Sequence, residues 1–275
     1  MVAKTIASRS GGTMKTIDKA MKLLGYFLPD APEWRLSNLA RAAGMDKVTT
    51  MRVLNSLAAS GLVEQHPETK KYRLGAAVLC LARIREACFP VAAVLQPILE
   101  KLTEATGETS HACLFSGTSM TTIAVAEPNR STRAFVNPSQ PLAVYATASG
   151  LAFLANCSDE TIQKTLSQLS LHPLASNTPT SKKVLRERLR QVHDDGFAIS
   201  ARTFEDDITG IAAPIFDWHG TVLATIAVAC VSSRLNEKVE NQILNSVLRA
   251  SVEATYAMGG EVRKDMSRRS TERGI

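Results

Sequence analysis

The chain has 275 residues, 45% of them hydrophobic, which accommodates one large or two ordinary domains with proper cores. Its net charge of +6 is uneven: residues 1–90 hold 14 Lys/Arg against 7 Asp/Glu, whereas residues 91–260 hold 13 against 16. A protein that coats nucleic acid along its whole length is thereby excluded, and phosphate binding is expected of the first part alone. Five scattered cysteines without a CxxC pair, no signal-peptide core and no apolar run near the roughly 20 residues of a bilayer span exclude a disulfide framework and a membrane protein, so a cytoplasmic location is expected.

Residues 1–13 are small, polar and basic, and are expected to be a disordered arm. Thr16 to Phe27 reads as an amphipathic helix with Ile17, Ala20, Met21, Leu24 and Phe27 on one side, and Pro29 and Pro32 interrupt the chain after it. From Leu36 to Leu74 the pattern is helix, turn, helix and a two-stranded wing. Ser37 is placed to cap the first helix, and Gly44 supplies a permissive turn. Asp46 stands where a carboxylate suits the open amides of the next helix. There Thr50, Val53, Leu54 and Leu57 follow i, i+3, i+4, i+7 and should face the core, which leaves Lys47, Val48, Met51, Arg52 and Asn55 outside. The Thr50 hydroxyl then needs a partner, for which a backbone carbonyl is expected. The wing strands 62–66 and 70–74 flank a turn at Pro67 and carry Lys70, Lys71 and Arg73. This is the layout that places a helix in a DNA major groove. Lys47, Thr49 and Arg52 are the candidates to meet DNA, Arg52 at guanine and Lys47 and Thr49 at bases or phosphates, and the three wing cations are candidates to hold the phosphate backbone.

Residues 76–87 form an apolar helix, expected to link two domains and to touch a second subunit, and the composition changes at Pro90. Beyond it the pattern predicts a helix over 91–106 and strands over 109–115 and 120–126 around Ser116-Gly117. A short strand at 134–136 and helices over 147–154, 159–169 and 181–194 follow. Strands at 197–201, 208–216 and 222–231 and a closing helix over 236–258 complete the chain. Strands made in hairpins with helices at both ends point to an α+β domain with one antiparallel sheet. The expected division is an arm at 1–13, a winged helix-turn-helix at 14–75, a linker helix at 76–89, a second domain at 90–260 and a basic tail at 261–275.

No GxSxG, P-loop or GxGxxG is present, and the Asp194-Asp195 and Asp206-Asp207 pairs read as solvated loop acids. His111 and Cys113 alternate on one strand and face one side, yet with Cys230 or His193 they lack the spacing of a zinc motif. His111 is expected to pack or pair locally. The chain is therefore expected to be no enzyme and to need no cofactor or metal.

Four stretches in order, HPETKKYRLG at 66–75, GETSHACLFSG at 107–117, YATASGLAFLA at 145–155 and DDGFAIS…GIAAPIFDWHGTVLATIAVA at 194–229, resemble the IclR family of bacterial transcription regulators over about residues 15–258. The resemblance implies a GAF-like effector domain after the linker, dimers or tetramers (dimers of dimers) on palindromic double-stranded DNA operators, and control by a small carboxylated metabolite. Such regulators commonly act in carbon-source or aromatic-acid catabolism. The chain departs from the family pattern at Val48 and Met51, where polar residues are common. Either the helix is rotated so that both are partly buried, or they touch thymine methyl groups.

In the family the effector carboxylate rests on backbone amides at a helix start, and the matching residues are Ala146, Thr147, Ala148, Ser149 and Gly150. Open amides and the helix dipole favour an anion there. The family's acidic residue is matched by Ser200, its frequent Cys by Gly210, and its two strand serines by Ala227 and Ala229. These exchanges imply a wider, less polar pocket that suits an aromatic or bulky acid better than glyoxylate or pyruvate. Leu114, Phe135, Val144 and Ile208 are candidate lining residues, equally readable as core, and Arg202 is a candidate cation. The competing possibility is a ligand-independent repressor whose pocket is vestigial and serves only oligomerisation.

Overall fold

The computed structural model describes residues 15–262. The arm expected at 1–13 and nearly all of the tail expected at 261–275 lie outside the described residues. The chain divides after Pro90 into two compact units.

The first unit contains α1 (Lys15–Leu24), α2 (Leu36–Ala43), α3 (Lys47–Ala59), β1 (Val63–Gln65), β2 (Tyr72–Leu74) and α4 (Ala77–Cys88). Its core joins Leu23, Phe27, Leu39, Ala43, Val53, Leu54, Leu57, Val63 and Tyr72. Two expectations for it need correction. Ile17 and Met21 are each 55% exposed, and the buried residue of α1 is Leu23. The helix carries two overlapping apolar stripes, and packing selects the one through Ala20, Leu23 and Phe27. Ser37 does not cap α2, because Arg35 holds the N-cap position and no side chain caps that end. Gly44 does close α2 in the left-handed region at φ 62°.

The second unit contains α5 (Val91–Thr106), β3 (Thr109–Ser116), β4 (Ser119–Ala126), β5 (Leu142–Ala143), α6 (Ala148–Leu154), α7 (Asp159–Gln168), α8 (Lys182–Asp195), β6 (Ala198–Ala201), β7 (Ile208–Phe216), β8 (Val222–Val231) and α9 (Glu237–Ala257). The strands form one six-stranded antiparallel sheet in the order β5-β4-β3-β8-β7-β6. Two local hairpins, β3–β4 and β7–β8, are thus fused through the β3–β8 ladder. One apolar layer lies between the sheet and α5 with α9, and the other between the sheet and α6 with α8. The α+β class expected from sequence is what the unit adopts.

The strand expected at 134–136 does not form. The segment is tied instead by the Thr109 hydroxyl, which donates to the Ala134 carbonyl at 2.7 Å. The short edge strand is β5, paired with Ser119 and Met120 of β4. No helix among the described residues is long and apolar enough to cross a membrane.

Candidate functional site

In the first unit α3 begins at a capped end. Asp46 accepts the Thr49 N–H at 2.7 Å, which satisfies an open amide and holds its carboxyl below the usual range. Thr50 is fully buried and its hydroxyl donates to the Asp46 carbonyl at 2.9 Å, the backbone partner expected for it. With Thr50, Val53, Leu54 and Leu57 anchored inward, Lys47 and Arg52 are exposed and Thr49 is half-buried beside them. Val48 is 62% and Met51 40% exposed, which removes the alternative of a helix rotated to bury them. The helix therefore offers an outer face of one lysine, one arginine, hydroxyl and apolar groups, the set that reads base edges and thymine methyls.

The wing is less free than its composition suggests. Arg73 meets Glu64 across the β1–β2 pair at 2.6 Å, and Lys71 reaches Glu33 at 3.4 Å. Both pairs are partly exposed and so contribute little to stability, which leaves them able to exchange a carboxylate for a phosphate. Lys70 has a left-handed backbone and no carboxylate partner among the described residues. In α4 none of the twelve residues is buried, and Leu79, Leu81 and Ile84 are exposed.

In the second unit the start of α6 stands over the sheet and closes a cavity of about 150 Å³. Its floor is a patch of small residues. Ala227 and Ala229 lie on β8, and Gly210 pairs with Ala229 from β7. Ser200, which pairs with Gly210 from β6, and Ile208 form one side. Thr147, Ala148 and Ser149 form the roof. Thr147 caps the helix, accepting from the Gly150 N–H at 3.2 Å and donating to the Ala143 carbonyl at 3.0 Å. The amides of Ala148 and Ser149 have no acceptor among the described residues, as expected for the first turn of a helix.

Four of the expected lining residues sit elsewhere. Leu114 packs in the layer with α5 and α9, on the far side of the sheet. Val144 is fully buried in the opposite layer, with Gly150 packed directly against its backbone. Gly150 itself is buried in that contact and does not face the cavity. Ala146 contributes no wall, and its carbonyl instead receives the Ser200 and Thr203 hydroxyls at 2.9 and 2.6 Å. Phe135, Thr147, Ala148, Ser149, Ser200, Ile208, Gly210, Ala227 and Ala229 do border the space, with Phe135 72% exposed at its rim. Gly210 also leaves slack under α6: a Cβ there would stand 3.2 Å from the Ala148 Cβ, a tight contact that a small shift accommodates. Arg202 does not line the cavity.

Sequence reasoning passed over several wall residues. Ala134, Val136, Asn137 and Gln140 arrive on the connection between β4 and β5, Leu142 on β5 itself, and Phe204 and Glu205 on the connection between β6 and β7. Loop residues carry no periodicity, so only the folded arrangement identifies them. Partial burial and the charge of Asp207 raise the Glu205 pKa.

His111 is the second omission. It projects from β3 beside Ala227, lines the cavity, and places Nε2 3.3 Å from the Ser149 Oγ. Burial lowers its pKa to about 4, so the ring is neutral near pH 7. Cys113, on the same side, is buried against Thr122 with its thiol pushed up to about 11. Cys230 belongs to the opposite layer, so it cannot join them around a metal.

A model of the IclR helix-turn-helix domain matches residues 16–67, and one for the bacterial transcriptional regulator IclR C-terminal matches residues 88–255. The crystal structure of an IclR-type protein from Silicibacter sp. TM1040 shares the fold at a TM-score of 0.81 and 33% identity, covering 91% of this chain and 98% of that one. The transcriptional repressor IclR of Escherichia coli (strain K12) is 27% identical over 251 residues, 90% of this chain and 92% of the repressor. An IclR homologue from Microbacterium hydrocarbonoxydans, crystallised with 4-hydroxybenzoate, has a TM-score of 0.71 at 21% identity, covering 89% of this chain and 99% of that one. The chain belongs to the IclR family and is a DNA-binding transcriptional regulator, not an enzyme.

Proposed function

We propose that this regulator senses an aromatic or similarly bulky carboxylic acid and controls a catabolic operon in response. The observation that carries this reading is the cavity itself: about 150 Å³, floored by Gly210, Ala227 and Ala229, with the open amides of Ala148 and Ser149 at its roof. An engineered apolar cavity of about this size in another protein holds benzene. An acid of that girth would seat its carboxylate on the α6 amides and its ring over the alanines. Glyoxylate or pyruvate would leave most of the space unfilled. The 4-hydroxybenzoate bound by the Microbacterium homologue supports the same ligand class.

DNA is read by α3, with Lys47, Thr49 and Arg52 toward bases or phosphates and Val48 and Met51 toward thymine methyl groups. Lys70, Lys71 and Arg73 hold the backbone. The exposed apolar face of α4 serves as linker and contact in a homodimer or a dimer of dimers on a palindromic operator in the cytoplasm. Ligand control requires that the acid favour one arrangement of the oligomer over another. Arg52→Ala is expected to weaken specific operator binding by about 1–3 kcal/mol, the scale of one lost base contact. Fluorescence anisotropy on operator and scrambled duplexes checks this, and equal affinity of variant and wild type for operator would move the reading face elsewhere.

The effector reading is tested by a thermal-shift panel of aromatic and short aliphatic carboxylates, because a ligand confined to the native state must raise its apparent stability. Stabilisation by benzoates but not by glyoxylate or pyruvate is expected. Response to the small acids alone would overturn the ligand class. No response to any acid would leave a vestigial pocket used only for oligomerisation.

A further inference from the structure

The polar side chains at the closed end of the cavity are paired within the protein. The Ser200 hydroxyl is held by the Ala146 carbonyl and pairs with Thr203, and Thr147 is held between Ala143 and Gly150. Ser149 pairs with His111. The polar groups left over arrive on two loops, Asn137 and Gln140 before β5 and Glu205 before β7. Asn137 Oδ1 accepts the Ser139 N–H, but among the described residues no hydrogen bond or ion pair engages its Nδ2, the Gln140 amide or the Glu205 carboxylate. Glu205 is exposed whereas Ala148 and Ser149 are buried, so the loops hold the open end and α6 the closed one. Among the described residues that line the cavity, Glu205 is the one acid and none is Lys or Arg. The charge of Asp207 adds to that of Glu205, while Arg202 acts on Asp206. A negative, uncompensated mouth therefore faces a closed end whose open amides suit an anion.

We propose that Glu205 is a specificity-determining residue of the effector site: its carboxylate accepts a hydrogen bond from a hydroxyl or amino group at the end of the ligand away from the acid, and repels a second carboxylate there. The inference rests on the aromatic-acid reading and adds to it the polarity of the ligand's far end. An ionised carboxylate accepts hydrogen bonds and cannot donate, so it suits O–H and N–H groups and offers nothing to another carboxylate. A hydrogen bond to a charged group contributes more than one between neutral groups. The Asn137 and Gln140 amides are neutral and carry N–H donors, so they complete the partners of a hydroxyl, which accepts as well as donates, without changing the charge of the mouth. Like charges in a partly desolvated site are screened less than on open surface. The cavity is thereby tuned to monoacids that carry a donor, with unsubstituted monoacids weaker and diacids weakest.

The test is calorimetric titration of the full chain with benzoate, 3- and 4-hydroxybenzoate, isophthalate, terephthalate and the monoamides of the two diacids, repeated on Glu205→Gln. Each monoamide has the size of its diacid without the second charge. In wild type at least one hydroxybenzoate should bind about tenfold or more tightly than benzoate, the range of a hydrogen bond to a charged group. Each diacid should bind about tenfold or more weakly than its monoamide, on the scale of one uncompensated like-charge contact. In Glu205→Gln diacid and monoamide should come within about threefold, and the hydroxybenzoate preference should fall to about threefold because a neutral acceptor remains. Glu205 is exposed on a loop, and a ratio of two ligands on one protein is insensitive to a general loss of stability. Should neither diacid nor monoamide bind measurably, the hydroxybenzoate preference in the two proteins decides. Diacids binding as tightly as their monoamides in wild type would overturn the assignment, as would preferences that Glu205→Gln leaves intact. Binding of none of the acids would overturn it together with the aromatic-acid reading, whereas binding without these preferences removes the role of Glu205 alone.

Discussion

Gly150→Ala is expected to lower the stability of the second unit by about 3 kcal/mol or more, the upper range for overpacking a close-packed interior. A Cβ at this position would lie 2.2 Å from the Val144 carbonyl oxygen and 2.4 Å from its Cα. Both obstacles are backbone, so no rotamer change relieves the clash. Either α6 or the segment at Val144 must move by about an ångström, far outside what a packed interior absorbs cheaply. The same movement displaces the amides of Ala148 and Ser149, so acid binding should disappear along with the stability. In a unit of this size the loss corresponds to a fall in the melting midpoint of about 10 °C. Gly210→Ala is the control, since its added methyl meets the Ala148 Cβ at 3.2 Å and the Ala148 nitrogen at an ordinary 3.9 Å. A shift of a few tenths of an ångström accommodates it, and a midpoint close to wild type is expected. Equal loss in both variants, read by calorimetry, would show that the tight approach at Gly150 is not what sets α6.

Stability should also fall by about 2 kcal/mol between pH 7 and pH 5 on account of His111 alone. The pKa of the folded ring, about 4, lies below its ordinary value of 6.5. Between those values the unfolded chain binds a proton that the folded one does not, so folding is favoured above 6.5 and the advantage is lost as the pH falls toward 4. The cause is burial, with no carboxylate near enough to compensate a charged ring. Urea denaturation of wild type and His111→Asn at a series of pH values isolates the effect, because the variant lacks the titrating group. Parallel pH profiles of the two proteins would show that the ring is solvated in solution.

The helix-turn-helix was readable almost residue by residue. Thr50, Val53, Leu54 and Leu57 share one face by spacing alone, and Asp46 and Gly44 mark the ends of their helices through local hydrogen bonding and backbone freedom. Two kinds of misreading came from packing. At α1 two apolar stripes overlapped, and only contact with α3 selects Leu23 over Ile17 and Met21. At Leu114 and Val144 an apolar residue on a strand or before a helix gave no sign of which layer it would join.

The effector site divides along the same line. Local sequence predicts a helix over 147–154, which starts at Ala148 with Thr147 as its cap, and strands that carry alanine and glycine where the family pattern has polar residues. It also establishes the charge contrast between the two parts of the chain, since charge is additive and needs no fold. The pairing of β3 with β8 unites His111 with Ala227 over more than a hundred residues of sequence, and the loops bring Phe135 and Glu205 to the rim. Those relations depend on strand register and on which sheet face each helix covers. Periodicity records which side of its own element a residue occupies, and packing alone settles what that side meets.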